Sequence, residues 1–208
     1  MTEMSLETDT TEARQDAIHP LWLRLTHWLN ALAVLIMVGS GWQIYNASPL
    51  FGFRFAKTIT LGGWLGGGIE WHFAAMWLLA ANGLLYLLLN LLSGRLWRKF
   101  LPLSPRAFFS DLKAALHGHL THADPRRYNS VQRVAYLFVM VDILLLALSG
   151  LVLWKSVQFP LLRVLLGGYD VARYVHFFAM AGLVAFVTVH LVMVALVPRT
   201  FLTMLRGR

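Results

Sequence analysis

Apolar residues run almost unbroken through four stretches of the chain, residues 21–43, 71–93, 131–154 and 174–197. Each is long enough to cross about 30 Å of hydrocarbon. Backbone amides find no water there, so each stretch is predicted to be a helix. The pattern changes between the second and third stretches. Ser104-Pro105 has the form of an N-cap followed by proline in the first turn. Phe108, Phe109, Leu112, Ala115 and Leu116 then mark one apolar face, ending near Gly118. This predicts a short amphipathic helix lying on the membrane surface. The fold class expected is an all-α membrane protein, a four-transmembrane-helix bundle with an additional cytoplasmic interfacial helix, over residues 19–208. Residues 1–18 are polar and acidic, with Glu3, Glu7, Asp9, Glu12 and Asp16 against Arg14. They read as a flexible cytoplasmic tail rather than a cleavable signal peptide, whose basic start and small-residue cleavage site are missing.

Composition agrees with a bilayer as solvent: 58% hydrophobic residues, 13% charged and a mean hydropathy of +0.60. Cysteine is absent, which excludes disulfides, an iron–sulfur cluster held by this chain and covalent c-type haem. The net charge of +8 is a matter of topology. Thirteen of the 18 Lys and Arg residues fall before the first stretch or at its edge (Arg24), in the second loop or just past it (Arg133), or after the fourth stretch. The first and third loops hold only Arg54, Lys57, Lys155, Arg163 and Arg173. That bias puts both termini in the cytoplasm, and nucleic acid need not be invoked.

The histidines carry the chemistry. His176 and His190 lie fourteen residues apart in the fourth stretch, a separation of roughly 21 Å along a helix and within roughly 40° of one face. His72 begins the second stretch and His27 lies near the start of the first. The topology matches depths, His72 with His176 outside and His27 with His190 inside. Polar groups at membrane depth are costly and face the bundle interior, so two stacked bis-histidine haem sites fit the pattern. Hydrogen-bonded packing is the bland reading of any single histidine; Met180 and Met193 read as packing residues. Arg24 and Arg173 each precede a histidine by three residues, on the same face and one turn nearer water. A haem propionate needs a cation there, although snorkelling arginines would look the same. His117, His119 and His122 cluster in the second loop without a supporting carboxylate framework, and Asp142 falls near mid-membrane, structural or on a proton path.

Taken together, Arg24-Leu25-Thr26-His27-Trp28, Trp71-His72 and the His176/His190 pair resemble the bacterial cytochrome b561-type family of diheme membrane cytochromes. That family includes b-type subunits of nickel–iron hydrogenases, formate dehydrogenases and thiosulfate reductases. The resemblance extends from His19 to Arg208. It implies two haem b groups with His27, His72, His176 and His190 as axial ligands to iron. Arg127-Tyr128-Asn129-Ser130-Val131-Gln132 further resembles a segment bordering a quinone pocket in formate dehydrogenase-type subunits. Asn129 and Gln132 are therefore quinone candidates, with a helix cap by Asn129 as the alternative. The glycine-rich outer loop from Leu61 to Gly68 reads as a docking surface and not as a phosphate loop.

The function expected is respiratory electron transfer across the inner membrane, between quinone and a periplasmic redox partner. A molybdenum oxidoreductase, a hydrogenase and a c-type cytochrome are the partner classes the resemblance implies. Two other readings stand beside it: a stand-alone quinone-linked cytochrome reacting with a small oxidant such as superoxide, and a haem-free histidine-based transporter.

Overall fold

A computed structural model describes residues 19–94, 104–117 and 130–207. The tail over residues 1–18 lies outside the described residues. Helix α1 (Leu21–Ala47) is followed by a single 3-10 turn (Lys57–Ile59) and α2 (Leu65–Leu92). Then come α3 (Pro105–Leu116), α4 (Ser130–Lys155), α5 (Pro160–Leu165), α6 (Tyr169–Leu196) and α7 (Pro198–Arg206), with no strand among the described residues. Helices α1, α2, α4 and α6 have 27, 28, 26 and 28 residues and are apolar enough to span a membrane. At about 1.5 Å per residue each exceeds the roughly 30 Å hydrocarbon thickness, so their ends reach the interfaces. The protein is an integral membrane four-helix bundle.

Two hairpins make the bundle. Close backbone approach is concentrated between α1 and α2 and between α4 and α6. The cause is legible in the buried positions. Thr26, Ala33 and Ser40 are buried at steps of seven on α1, facing Gly68, Ala75 and Asn82 at steps of seven on α2. Asp142 and Ser149 on α4 repeat the step, as do Ala172 and Ala179 on α6. Lipid tails are as apolar as leucine, so helix association relies on small residues that let backbones close in and on buried hydrogen bonds. A Cβ on Gly68 would stand only 3.0 Å from the Gln43 side chain and 3.4 Å from the Ser40 carbonyl. Asn82 Nδ2 donates to the Thr26 carbonyl and to Asn30 Oδ1, each at 2.7 Å. The large side chains point the other way: Leu35, Leu84 and Leu92 are 66%, 69% and 76% exposed, which is the lipid face.

Three features correct the sequence reading of the loops. The glycine-rich segment is only partly loop: Gly62 and Gly63 turn at φ of 108° and 72°, and the helix starts at Leu65. Gly66, Gly67 and Gly68 are thus in the first turn of α2, where Gly66 and Gly67 make room for Trp64 and the Gly62 backbone and Gly68 admits α1. A short helix, α5, occupies the third loop. Helix α7 follows α6 after a break at Val197-Pro198 and returns to α1.

Helix α3 is where the sequence placed it. The Ala107 amide donates to Ser104 Oγ at 3.4 Å, an N-terminal cap. The Asp111 carboxylate on α3 in turn accepts from the Ser130 amide at 2.7 Å, capping α4 and tying the amphipathic helix to the bundle.

Candidate functional site

Between the hairpins lies a slot that side chains, rather than backbones, cross. The sides of the bundle are named here by what they hold: the loop side carries the connections before α2 and α6, and the termini side carries the chain ends. At the loop side His72 of α2 faces His176 of α6, ring centroids 6.4 Å apart and planes at 63°. At the termini side His27 of α1 faces His190 of α6 at 6.1 Å and 64°. All four rings are only half-buried, although they point into the bundle.

Those distances can be tested against a cofactor. A metal–imidazole bond is about 2.0 Å, and the ring centre lies roughly 1.1 Å behind the bonding nitrogen. Two imidazoles on opposite sides of one iron therefore put their centroids about 6.2 Å apart. Both pairs stand within a few tenths of that value before any ligand is considered. Among the described residues no group of three or more His, Asp or Glu side chains is placed to hold a metal ion. Two-coordinate pairs of this kind suit a metal whose remaining ligands come from a macrocycle.

The loop-side pair has further partners. Ser40 Oγ is 3.1 Å from His72 Nδ1, and Ser149 Oγ is 3.0 Å from His176 Nδ1. Each hydroxyl also donates to a carbonyl four residues back, Ile36 at 2.6 Å and Leu145 at 2.7 Å. A hydroxyl has one proton, so toward the imidazole it accepts. Nδ1 then carries the hydrogen and Nε2 is left with a lone pair. Gly41 and Gly150, next to the serines, bring helix surface against the rings: a Cβ at either would lie 3.4 Å from the histidine Cε1. Aromatic rings close this end. Phe177 packs on Phe51 at 5.2 Å and on Tyr45 at 5.3 Å.

The termini-side pair is built from aromatic contact. Phe186 lies parallel to His190 at 6.1 Å and 8°. Trp28 stands edge-on to His27 at 5.4 Å and meets Phe201 of α7 at 6.0 Å. Neither histidine has a hydrogen-bond partner for its ring among the described residues.

The remaining sequence candidates fall as follows. Arg24 Nη1 donates to the Leu205 carbonyl at 2.5 Å, while its buried Nε has no partner among the described residues. Arg173 Nη2 donates to the carbonyl of Ser48 at 2.7 Å and to its hydroxyl at 3.2 Å. Arg24 thus ties α1 to α7 and Arg173 ties α6 to the end of α1, each three residues from a histidine and with donors to spare. Gln132 is exposed on the first turn of α4, and Asn129 lies outside the described residues. His117 Nδ1 bonds the Lys113 carbonyl at 2.7 Å at the end of α3; His119 and His122 lie outside the described residues. Asp142 is buried against the Gly182 position, with Oδ2 unpartnered among the described residues.

The two serines were missed by reading histidines alone. A repeat would have found them. Ser40-Gly41 precedes His72-Phe73-Ala74-Ala75-Met76, and Ser149-Gly150 precedes His176-Phe177-Phe178-Ala179-Met180. Each hairpin supplies one copy.

Comparison with known proteins decides the class. Residues 18–207 match the prokaryotic cytochrome b561 family. The chain belongs to that family. It is 66% identical over 191 residues, 92% of this chain and 96% of the relative, to a protein of Azospira oryzae named "Putative protein-methionine-sulfoxide reductase subunit YedZ1". No solved structure matches. Membership makes this protein a membrane cytochrome of b-type haem and electron transport, and its four apolar spans agree with that.

Proposed function

We propose that this cytochrome b561 protein holds two haem b groups in its slot and carries electrons across the inner membrane from quinol to a periplasmic enzyme that reduces methionine sulfoxide. The observation that carries the reading is the pair of facing imidazoles at each of two levels, 6.4 Å and 6.1 Å between centroids.

In this reading His72 and His176 hold the loop-side haem, and His27 and His190 the termini-side haem. Haem iron bound by two imidazoles has no open position and supplies reversible one-electron transfer rather than oxygen activation. The chain supplies the rest. Helices α1, α2 and α6 carry the facing rings, and aromatic side chains pack together at the loop-side end. Arg24 and Arg173 offer spare guanidinium donors to carboxylate groups at the interface. Gln132, exposed on the first turn of α4, would offer its side-chain amide to a quinone carbonyl.

The charge bias puts the termini side in the cytoplasm and the loop side in the periplasm. The Azospira relative, by its name, suggests the acceptor. Reducing one sulfoxide to a thioether and water takes two electrons and two protons, the number of each that a quinol releases on oxidation. The partner then receives electrons at the loop side, and sulfoxide is reduced outside this chain.

The test is a reduced-minus-oxidised visible spectrum of the purified protein, with haem b quantified per polypeptide. Two haems per chain, reducible by quinol and reoxidised in the presence of the partner enzyme and a methionine sulfoxide, are expected. One haem per chain, or none, overturns the reading.

A further inference from the structure

We propose that Ser40 and Ser149 are positioning residues for the loop-side haem: each accepts the Nδ1–H of one axial histidine, presents Nε2 to the iron and holds that haem's midpoint potential down. The inference rests on the haem-ligand reading above and goes beyond it, because it assigns a role to two residues outside the ligand set.

Three observations meet at the serines. Both are fully buried, at 0% exposure, in an environment where an idle hydroxyl is costly. A serine in a membrane helix commonly bonds back to the carbonyl four residues earlier, and that bond alone would satisfy it. Here both hydroxyls make that bond and also stand 3.1 Å and 3.0 Å from a histidine of the neighbouring helix. The coincidence occurs twice, on separate helix pairs, with the same atoms and the same carbonyl four residues back. His27 and His190 lack it. Chance back-bonding does not explain a contact that recurs at one level and is missing at the other.

The chemistry follows from the proton count. With the serine hydrogen committed to Ile36 or Leu145, the only favourable arrangement puts a hydrogen on Nδ1. A metal-bound histidine that donates its second N–H to an acceptor is fixed in orientation and made more basic. A more basic ligand favours ferric over ferrous iron, so removing the acceptor raises the potential.

The experiment is a redox titration of the purified, haem-loaded protein, following the b-type absorbance of both haems in wild type, Ser40→Ala, Ser149→Ala and the double variant. The loop-side component is identified as the one missing from His176→Ala. Each alanine should shift that component's redox equilibrium about fivefold toward the reduced form, ~40 mV at 59 mV per tenfold, and the two shifts should add. Ser40→Thr, which keeps a hydroxyl, should restore the wild-type value. An unmoved midpoint in loaded alanine variants, or an equal shift in the termini-side component, overturns the serine role alone. So does loss of haem from Ser40→Thr as well as Ser40→Ala, which marks a packing role. Wild-type protein without haem b, or His176→Ala retaining both haems, overturns the underlying ligand reading with it.

Discussion

At the loop side, the facing histidines come from equivalent places in the two hairpins. At the termini side they do not. Superposing the Ser-Gly and His-Phe repeats pairs His72 with His176, whereas His27 falls opposite Tyr136 and His190 opposite Tyr86. The loop-side pair is thus a symmetric site, each half bringing one imidazole and one serine. The termini-side pair takes its imidazole from α1 in one half and α6 in the other. Their separations and tilts are nevertheless almost equal, 6.4 Å and 63° against 6.1 Å and 64°. Spacing is what one metal between two rings demands; hydrogen bonding around the rings is free to differ. We read the loop side as the fixed site and the termini side as the adaptable one. The latter is lined by Trp28, Phe186 and Phe201, nearer the Gln132 end of α4.

The largest effect that tests this contrast is ligand removal. His176→Ala should remove the loop-side haem and largely spare the other, halving haem b per polypeptide; His190→Ala should do the reverse. Haem quantification with difference spectra distinguishes the two. Loss of both haems from either variant would mean that the levels are one cooperative site and that the comparison has no content.

Smaller effects are expected from the two arginines. Arg173→Gln removes a charged donor from the Ser48 carbonyl, and Arg24→Gln removes one from Leu205. Each bond is partly exposed, so a cost of about 1 kcal/mol is reasonable. Thermal unfolding in detergent should fall by a few degrees for either variant. The sharper readout is which haem dissociates first on heating: the loop-side one in Arg173→Gln, the termini-side one in Arg24→Gln. The same haem leaving first in both would show that the arginines serve the bundle as a whole.

How much of this was legible from residues alone divides along physical lines. The four spans follow from hydrocarbon thickness and the need to satisfy backbone amides, and their type needed no tertiary information. Pairing by depth came from helix rise and charge bias, and the structure brings the same histidines face to face. The start of α2 was not legible, because glycines read as loop until α1 is seen filling the space they leave at Gly68. Helix α5 was hidden by its length, and α7 by the Val197-Pro198 break that ends the apolar run. Ser40 and Ser149 were silent because a buried serine in an apolar helix has an intrahelical partner by default. Only the neighbouring imidazole gives it a second role.

The smallest expected effect separates close packing from hydrogen bonding at the loop side. Gly41 and Gly150 invite the view that the rings need glycine beneath them. The distances argue otherwise: an added methyl would meet His72 or His176 Cε1 at 3.4 Å, an ordinary van der Waals contact. Both glycines are within helices at negative φ, where alanine is favoured by about 1 kcal/mol. Gly41→Ala and Gly150→Ala should therefore keep both haems and leave the midpoint potentials unchanged, with equal or slightly higher thermal stability. If either moves the loop-side potential as far as loss of the neighbouring serine hydroxyl does, ring position rather than the accepted proton governs that site. The asymmetry between the two levels would then be one of packing.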